Sequence, residues 1–540
     1  MGGHVFVVRG DVRRLVCDGW LLPTDGAGRI EPPWFRAPPG AAVRTQEWLG
    51  ALAMAAREAG RALASEHSLA LAVPARSSSG ALPVLTATAT SHDEVDWNHI
   101  ERALRAFVDV VLGEPREGPA ALRGSPLLAV PAVGTGEGGG ASIKGEVLDR
   151  LLDVLDDVAT DADVDLALVV RSDAIAAALR SHRRDGEHSQ RFVDALGQDL
   201  VDEASRLAAR VRRGEVVLFT GAGTGIPAGL PSWDGLLRAL AADGGRMLDE
   251  DDGMRALSSL DKATIIQREL GRERLVHAIC DAVSTDSYAI GHALLANLPV
   301  REAATLNYDE LFETAAADAG RRLAVLPYER PRDDDEGWLL KMHGCVREDR
   351  RRDIVLTRQD YLSVGQHRAA LTGLLQAMLV TKHLFFVGFG LTDEHFHSVM
   401  HDARRALQGE DTADVGVFGT ALVLERQPAA ELVWQDSLVL LPVADPEGRS
   451  SAGRRLEIFL DWLANEADQG WQHVLDDTFL SALDPVLAEL RRRLLSLAEL
   501  RGPLEGGGAW PAVAELLARF GADAGSAAPA PSAGDGTGEY

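Results

Sequence analysis

The chain has 540 residues, 46% hydrophobic and 25% charged, the composition of ordinary globular α/β protein with room for two large domains and a tail. Its formal charge of −26 excludes a broad nucleic-acid surface, which needs Lys and Arg in excess, and leaves only a local basic run at Arg350–Arg352. Three cysteines, Cys17, Cys280 and Cys345, lie far apart and form no CxxC pair, so neither a four-cysteine zinc site nor a disulfide is implied. No stretch is long and apolar enough for a membrane span and the amino terminus has no leader pattern, so the expectation is a cytoplasmic protein without a membrane partner.

In chain order, strand-like runs fall at Val5–Val8, Trp20–Leu22, Leu69–Val73, Leu127–Val130 and Leu166–Val170, with helical patterns at Thr45–Ser65, Asp96–Leu112 and Lys144–Ala159 between them. Such alternation predicts a mostly parallel sheet over residues 1–185. The polar run Ser181–Ser189 reads as a surface linker, and Arg191–Arg212 as one helix. A second domain, 200–465, is expected to hold strands at Val216–Thr220, Ala303–Leu306, Trp338–Met342, Ile354–Leu356, Leu384–Val387 and Ala421–Leu424, with a helical block over Leu236–Leu298. Residues 466–520 read as a helical carboxyl-terminal region, Leu480–Leu497 its clearest amphipathic segment, and 521–540 as an Ala/Gly/Pro/Ser-rich disordered tail.

Four pieces in the second domain carry chemistry: GAGTGIPAGLPSW at Gly221–Trp233, TLNYD at Thr305–Asp309, KMHG at Lys341–Gly344 and VGFGLTD at Val387–Asp393. The first follows a buried strand and leads into a helix from Trp233, where a glycine turn lets main-chain amides approach a phosphate. Gly388 and Gly390 read equally as a tight strand-to-helix turn or as space for a ligand. Asn307 and Asp309, taken alone, read as caps of a helix over Tyr308–Ala317. His343 ends an apolar strand before Gly344, the position of a general base that titrates near neutrality. His395, His397 and His401 lack an adjacent acidic ligand and the HExxH glutamate, so they read as solvated or packing residues, and no metal is expected.

Taken together, these motifs and their flanks (NYDELFE, DIVLTRQDY, VGFGLTDEHF) resemble the sirtuin superfamily, and within it the bacterial SIR2-like proteins of phage defence. The resemblance implies a Rossmann-like α/β fold with a parallel sheet and a helical insertion, binding NAD as a substrate. It implies that Gly221, Ala222 and Gly223 hold the diphosphate and ribose, that Gly388 and Gly390 line the adenosine side, and that Thr224, able to replace one lost serine hydroxyl, and Trp233 complete the cofactor site. It further implies that Asn307 orients a water or the ribose, that Asp309 faces the nicotinamide, and that His343 is the base. Some positions depart from the deacetylase pattern. Gly225 stands where a Ser is usual, Asp234 where an Arg is usual, Gly390 replaces the serine near adenosine, and the zinc-binding cysteines are absent.

In the first domain, VVRGDVRRLVCDGWLLPTD at Val7–Asp25 and LLAVPAVGTGEGGG at Leu127–Gly140 resemble a macro domain; a generic α/β domain with a glycine-rich loop fits equally. The resemblance implies that Asp11 accepts from an adenine amino group and that Gly134–Gly139 cradle the phosphates of an ADP-ribose-like nucleotide. Pro23, Thr24 and Asp25 stand where hydrolytic macro domains have asparagines, which argues against hydrolysis there.

The function expected is NAD+ glycohydrolysis to nicotinamide and ADP-ribose, as a defence effector that depletes NAD+. A phage or host trigger is expected, with the first domain as regulator and a homo-oligomer as the assembly. The alternatives are a non-catalytic NAD- or ADP-ribose-binding module and, less favoured, a protein deacylase or ADP-ribosyltransferase.

Overall fold

The computed structural model describes residues 2–37, 43–89, 95–135, 140–184, 186–244, 252–333, 336–407, 417–445, 448, 451–501, 504 and 508–522. It divides the chain into two compact units, Met1–Asp194 with Asp468–Tyr540, and Ala195–Ala467. Both are α/β. The end of the chain, expected as a helical region of its own, thus rejoins the first unit.

The first unit is built on β1 (Val5–Arg9), β2 (Gly19–Asp25), α1 (Val43–Glu66), β3 (Ala70–Ala72), β4 (Leu82–Ala89), α2 (Trp97–Gly113), β5 (Leu127–Pro131), α3 (Lys144–Ala162), β6 (Asp165–Val170), α4 (Asp173–His182) and α5 (Gly186–Leu196). Its six strands run in the order β1-β6-β5-β2-β4-β3, parallel except for the edge strand β3. The strand β4 has no counterpart in the sequence reading, because LPVLTATA lacks the bulky run that marks a buried strand. Helices α2 and α3 bury Phe107, Leu151 and Leu155 against the sheet, and Phe479 from the returning chain joins the same core. Leu480–Leu497 is not one helix: a 3-10 turn over Asp477–Ala482 gives way at Asp484, whose carboxylate caps a helix over Pro485–Ala498. The expected linker Ser181–Ser189 consists mainly of the end of α4 and the start of α5.

The second unit begins with α6 (Gln198–Arg212). The helix expected over Arg191–Arg212 breaks at Gly197, which takes φ 82°, a conformation glycine adopts without cost. Next come β7 (Val216–Thr220), α7 (Trp233–Asp243), the single turn α8 (Asp252–Arg255), α9 (Ser259–Leu270), α10 (Arg272–Ala282), α11 (Ile290–Asn297), β8 (Glu302–Thr305), α12 (Leu311–Asp318), β9 (Leu323–Leu326) and β10 (Gly337–Lys341). The unit is completed by α13 (Arg358–His367), α14 (Ala369–Thr381), β11 (His383–Val387), α15 (Glu394–Leu407), β12 (Gly419–Val423), α16 (Pro428–Trp434), β13 (Leu438–Pro442) and α17 (Ala452–Ala467).

Its seven strands are all parallel, ordered β13-β12-β11-β7-β8-β10-β9. The chain enters at β7, builds outward through β8 to β10, then returns to β11 on the other side. Adjacent strands β7 and β11 therefore send their connections to opposite sides, which opens a crevice beyond their carboxyl ends. Phe219, Phe386 and Phe396 fill the core beneath it, with ring centroids 5.1–5.4 Å apart. Each such buried ring contributes about 2–3 kcal/mol of transfer free energy.

Ile354–Leu356 is not a strand. All three side chains are buried, but the segment is an extended stretch outside the sheet, tied to the loop after β10 through Val355 N–H donating to the His343 carbonyl at 2.9 Å. Strands β9 and β13 are short edge strands that the apolar patterning did not mark.

Candidate functional site

Four strand ends converge on one cavity of about 540 Å³ in the second unit. Gly221 follows β7, Asn307 follows β8, His343 follows β10 and Gly388 follows β11, so the parallel topology alone carries these residues to the same edge of the sheet. Gly221, Ala222, Gly223, Trp233, Asn307, Asp309, His343, Gly388 and Gly390 all line the cavity. Thr224 is not among its lining residues: its hydroxyl donates to the Gly221 carbonyl at 2.8 Å and closes the turn instead.

The glycines of the two loops have distinct jobs. A Cβ on Gly221 would sit 2.5 Å from the Gly388 carbonyl oxygen, and one on Gly388, at φ 65°, would sit 2.5 Å from the Thr224 nitrogen. These two positions are small because the loops touch backbone to backbone. A Cβ on Gly390 would meet nothing nearer than 3.7 Å, so the absence of a side chain there keeps cavity space open. Several amides expected to face a phosphate are already committed. Gly221 N–H donates to Val387 O, Gly223 N–H to Gly388 O and Thr224 N–H to Gly221 O, at 3.0, 2.8 and 3.0 Å. Ala222, exposed at the start of the 3-10 turn Ala222–Thr224 and lining the cavity, carries the first amide of that turn, which no backbone carbonyl inside the turn accepts.

Asn307 is not a helix cap. Its Nδ2 donates to the Gly221 carbonyl at 3.0 Å, while its own N–H is held by Thr305 Oγ1 at 3.0 Å, and that hydroxyl donates to Thr220 O at 2.9 Å. The carboxamide is thereby locked to the glycine turn. Asp309 is buried and keeps part of the capping role: its Oδ1 accepts from Leu311 N–H at 3.1 Å, ahead of α12. Burial raises its pKa, and the nearby Lys341 charge opposes that rise.

His343 is 3% exposed, and its Nε2 is buried with no hydrogen-bond partner among the described residues. Burial lowers its pKa to about 4, against the pull of Asp393, so the imidazole is neutral at pH 7. Its ring meets Tyr361 edge-on at 5.1 Å, and Tyr361 donates its hydroxyl to Asp393 Oδ2 at 2.7 Å. Asp393 Oδ1 accepts from Phe396 N–H at 2.8 Å, which caps α15.

Three participants escaped the sequence reading. Asp393 closes the VGFGLTD motif, and its position after two glycines was the available signal. Tyr361 ends DIVLTRQDY. Lys341 opens KMHG; it is fully buried, pairs with Glu313 at 2.7 Å and donates to the main-chain carbonyls of Tyr308 and Asp309. A lysine held this way pins the loop that carries Asn307. His395, set aside as a bystander, lies 6.3 Å from His343 ring to ring. His343, Asp393 and His395 offer donor atoms within 4.8 Å of one another, so an acidic neighbour is present after all; both oxygens of Asp393 are, however, already hydrogen-bonded. His397 Nε2 donates to Leu391 O at 2.9 Å and the ring packs on Trp434, as a packing residue does.

Residues 301–438 match the family described as SIR2-like domain. That match lies within the second unit. The chain is 26% identical over 204 residues to "NAD(+) hydrolase ThsA" of Acinetobacter baumannii (strain 532279), covering 37% of this chain and 41% of that protein. It is 28% identical over 216 residues to the protein of the same name from Enterococcus faecium, covering 38% of this chain and 43% of that one. The match thus spans about two fifths of the length of these relatives. Among solved structures, the macrodomain of Mycobacterium tuberculosis DarG aligns with 31% of this chain and 98% of its own, at 16% identity and a TM-score of 0.22.

In the first unit, Asp11 is not poised as expected. Its Oδ1 accepts from Arg13 N–H and Nε, and its Oδ2 from Arg13 and Arg171 guanidinium groups, at 2.6–3.1 Å. Four donors fill the four lone-pair positions of the carboxylate, so an adenine amino group would have to displace one. Of the expected phosphate loop Gly134–Gly139, residues 136–139 lie outside the described residues. The expected tail at 521–540 lies outside them from 523 onward. No helix among the described residues is long and apolar enough to cross a membrane.

Proposed function

We propose that the second unit hydrolyses the N-glycosidic bond of NAD+, releasing nicotinamide and ADP-ribose. The observation that carries this reading is one cavity in which a neutral buried imidazole, His343, and a locked carboxamide, Asn307, share the lining with the Gly221–Gly223 turn. The names of the ThsA relatives support the same chemistry.

In this reading the dinucleotide lies across the β7–β11 crevice. The Ala222 amide faces a phosphate, Trp233 bounds the pocket at the start of α7, and the open space at Gly390 takes the adenosine side. Cleavage builds positive charge on the ribose as nicotinamide leaves. Asn307 Oδ1 and the buried Asp309 carboxyl supply the oxygen dipoles that charge needs. His343 Nε2, lacking a protein partner, accepts a proton from a ribose hydroxyl or the attacking water. Asp393 faces the imidazolium that forms. No step draws on a metal.

The setting is proposed with it: a cytoplasmic defence effector, in keeping with three free buried thiols. A phage or host trigger would release the activity, the first unit would gate it by binding an ADP-ribose-like nucleotide, and the chain would act as a homo-oligomer. Nicotinamide release from purified protein with NAD+ tests the chemistry. Wild type is expected to turn over, and His343→Ala and Asn307→Ala to lose activity by at least 100-fold; retention of activity in both removes their assigned roles. A second reading, binding without cleavage, draws on Thr224, whose hydroxyl is spent on Gly221 O and cannot replace the missing serine contacts. Tight NAD+ binding by calorimetry with no turnover, under conditions that trigger the defence response, would favour it.

A further inference from the structure

The first unit carries a cluster of donor side chains that the reading above does not use. Asp149, Asp153 and Asp156 sit at i, i+4 and i+7 of α3 and so share one face of that helix. His182 ends α4 and His188 lies in the first turns of α5, and both rings come over that face. The two rings are 4.8 Å apart and tilted at 56° rather than stacked. Asp153, His182 and His188 each offer a donor atom, all within 4.8 Å of one another.

The one direct ligand-to-ligand distance matches a tetrahedral metal. Two ligands about 2.1 Å from such an ion stand about 3.4 Å apart, and His188 Nε2 is 3.5 Å from Asp153 Oδ1. Each ring also has its Nδ1 beside a further carboxylate: His188 Nδ1 is 2.9 Å from Asp156 Oδ2, and His182 Nδ1 is 3.3 Å from Asp149 Oδ1. The carboxylate hydrogen-bonded to His188 fixes its tautomer and ring direction, as such partners do around metal-bound histidines. Asp156 is itself held by Arg191 Nε at 3.4 Å. Three carboxylates gathered on two imidazoles in a chain of charge −26 also form a local field that favours a cation.

We propose that Asp153, His182 and His188 bind a zinc-class divalent cation, with Asp149 and Asp156 orienting the two imidazoles. Two nitrogens and one carboxylate oxygen suit Zn2+ rather than Mg2+ or Ca2+, which take oxygen ligands. The side chain of Asp153 is half exposed, so a water completes the coordination from solvent. Bound there, the ion ties α3 to the α4–α5 turn and stabilises the folded first unit.

Metal-stripped full-length protein titrated with Zn2+ in equilibrium dialysis, and with Co2+ in visible spectroscopy, tests this. Wild type should bind one equivalent at micromolar metal, show the intense absorption of tetrahedral Co2+, and gain thermal stability with Zn2+. The His182→Ala/His188→Ala variant should lose that equivalent, the absorption and the stabilisation. Asp153→Asn, a change at a half-exposed position that preserves side-chain size, should weaken binding at least tenfold while its circular dichroism stays that of wild type. Failure to bind below millimolar Zn2+ overturns the proposal. So does an equivalent that persists in both variants, and so does one that disappears instead in His395→Ala, which would place the ion at the His343 cavity.

Discussion

Tyr361 donates its hydroxyl to Asp393 Oδ2 at 2.7 Å, and the same tyrosine ring packs edge-on against His343. The pair joins a segment after β10 to the loop after β11 and sets the field around the proposed base. Asp393 is the group that raises the His343 pKa, while burial, His395 and Arg368 lower it. Asp393→Asn should therefore cut the rate of nicotinamide release by 10- to 100-fold, because the imidazolium loses its counter-charge. Tyr361→Phe should cost less, since it removes one hydrogen bond and leaves the carboxylate. Steady-state kinetics on both variants check the order; a Tyr361→Phe defect larger than that of Asp393→Asn would contradict it.

A native pKa of about 4 for His343 also shapes the pH profile. The neutral form dominates throughout the range above pH 5, so kcat/KM should be flat from pH 6 to 8, with no limb near 6.5. Stability follows the same sign. His292 and His343 both have native values of about 4 against 6.5 when unfolded. Between those values the unfolded chain binds more protons, so the stability these groups contribute is present above 6.5 and is lost as pH falls through that window toward 4. The upper bound is on the order of 3 kcal/mol per imidazole. Urea unfolding at pH 7.5 and pH 5 measures it, with the lower midpoint expected at pH 5.

Fully buried Lys341 pairs with Glu313, whose side chain is 16% exposed, beneath the Asn307 loop. Lys341→Met should destabilise by about 3–5 kcal/mol, because it strands the carboxylate and frees the carbonyls of Tyr308 and Asp309. Removing both partners, as Lys341→Met/Glu313→Leu, should recover part of that loss. A thermal-melt comparison of the single and double variants would show it, and a double variant less stable than Lys341→Met would refute the pairing as the cause.

Gly388 and Gly390 should behave oppositely despite being neighbours in one motif. Gly388→Ala forces a side chain into φ 65° and against the Thr224 nitrogen, so it should lower the melting temperature strongly. Gly390→Ala has steric room and should fold normally while raising the KM for NAD+ several-fold. Melting curves alongside NAD+ saturation curves separate the two effects.

Asn307→Asp offers a sharper probe than Asn307→Ala. The change replaces an N–H donor to the Gly221 carbonyl with a second acceptor, so it should both abolish activity and displace the glycine turn. Asn307→Ala should lose activity with a stability change of about 1 kcal/mol. Equal melting temperatures for Asn307→Asp and wild type would show that the carboxamide is not locked as described.

Local pattern was enough to place most strands, the two glycine loops and the residues that end β7, β8, β10 and β11. Apolar runs that stop at Gly, Asn or His are statements about neighbouring residues, and neighbours are what a sequence displays. Whether those ends meet depends on strand order, which is set by pairings between segments distant in the chain, such as β7 with β11 and β7 with β8, and which brings Asn307 to Gly221. Only the folded chain shows that Thr224 turns inward, that the Gly221 and Gly223 amides are spent on the end of β11 and its loop, and that Asp11 is already saturated by two arginines. It alone brings Asp393 and Tyr361 to His343, and His182 and His188 to one face of α3. Charges and hydrogen-bond donors find partners by distance in space rather than along the chain, so their roles emerge only when topology has fixed who is adjacent.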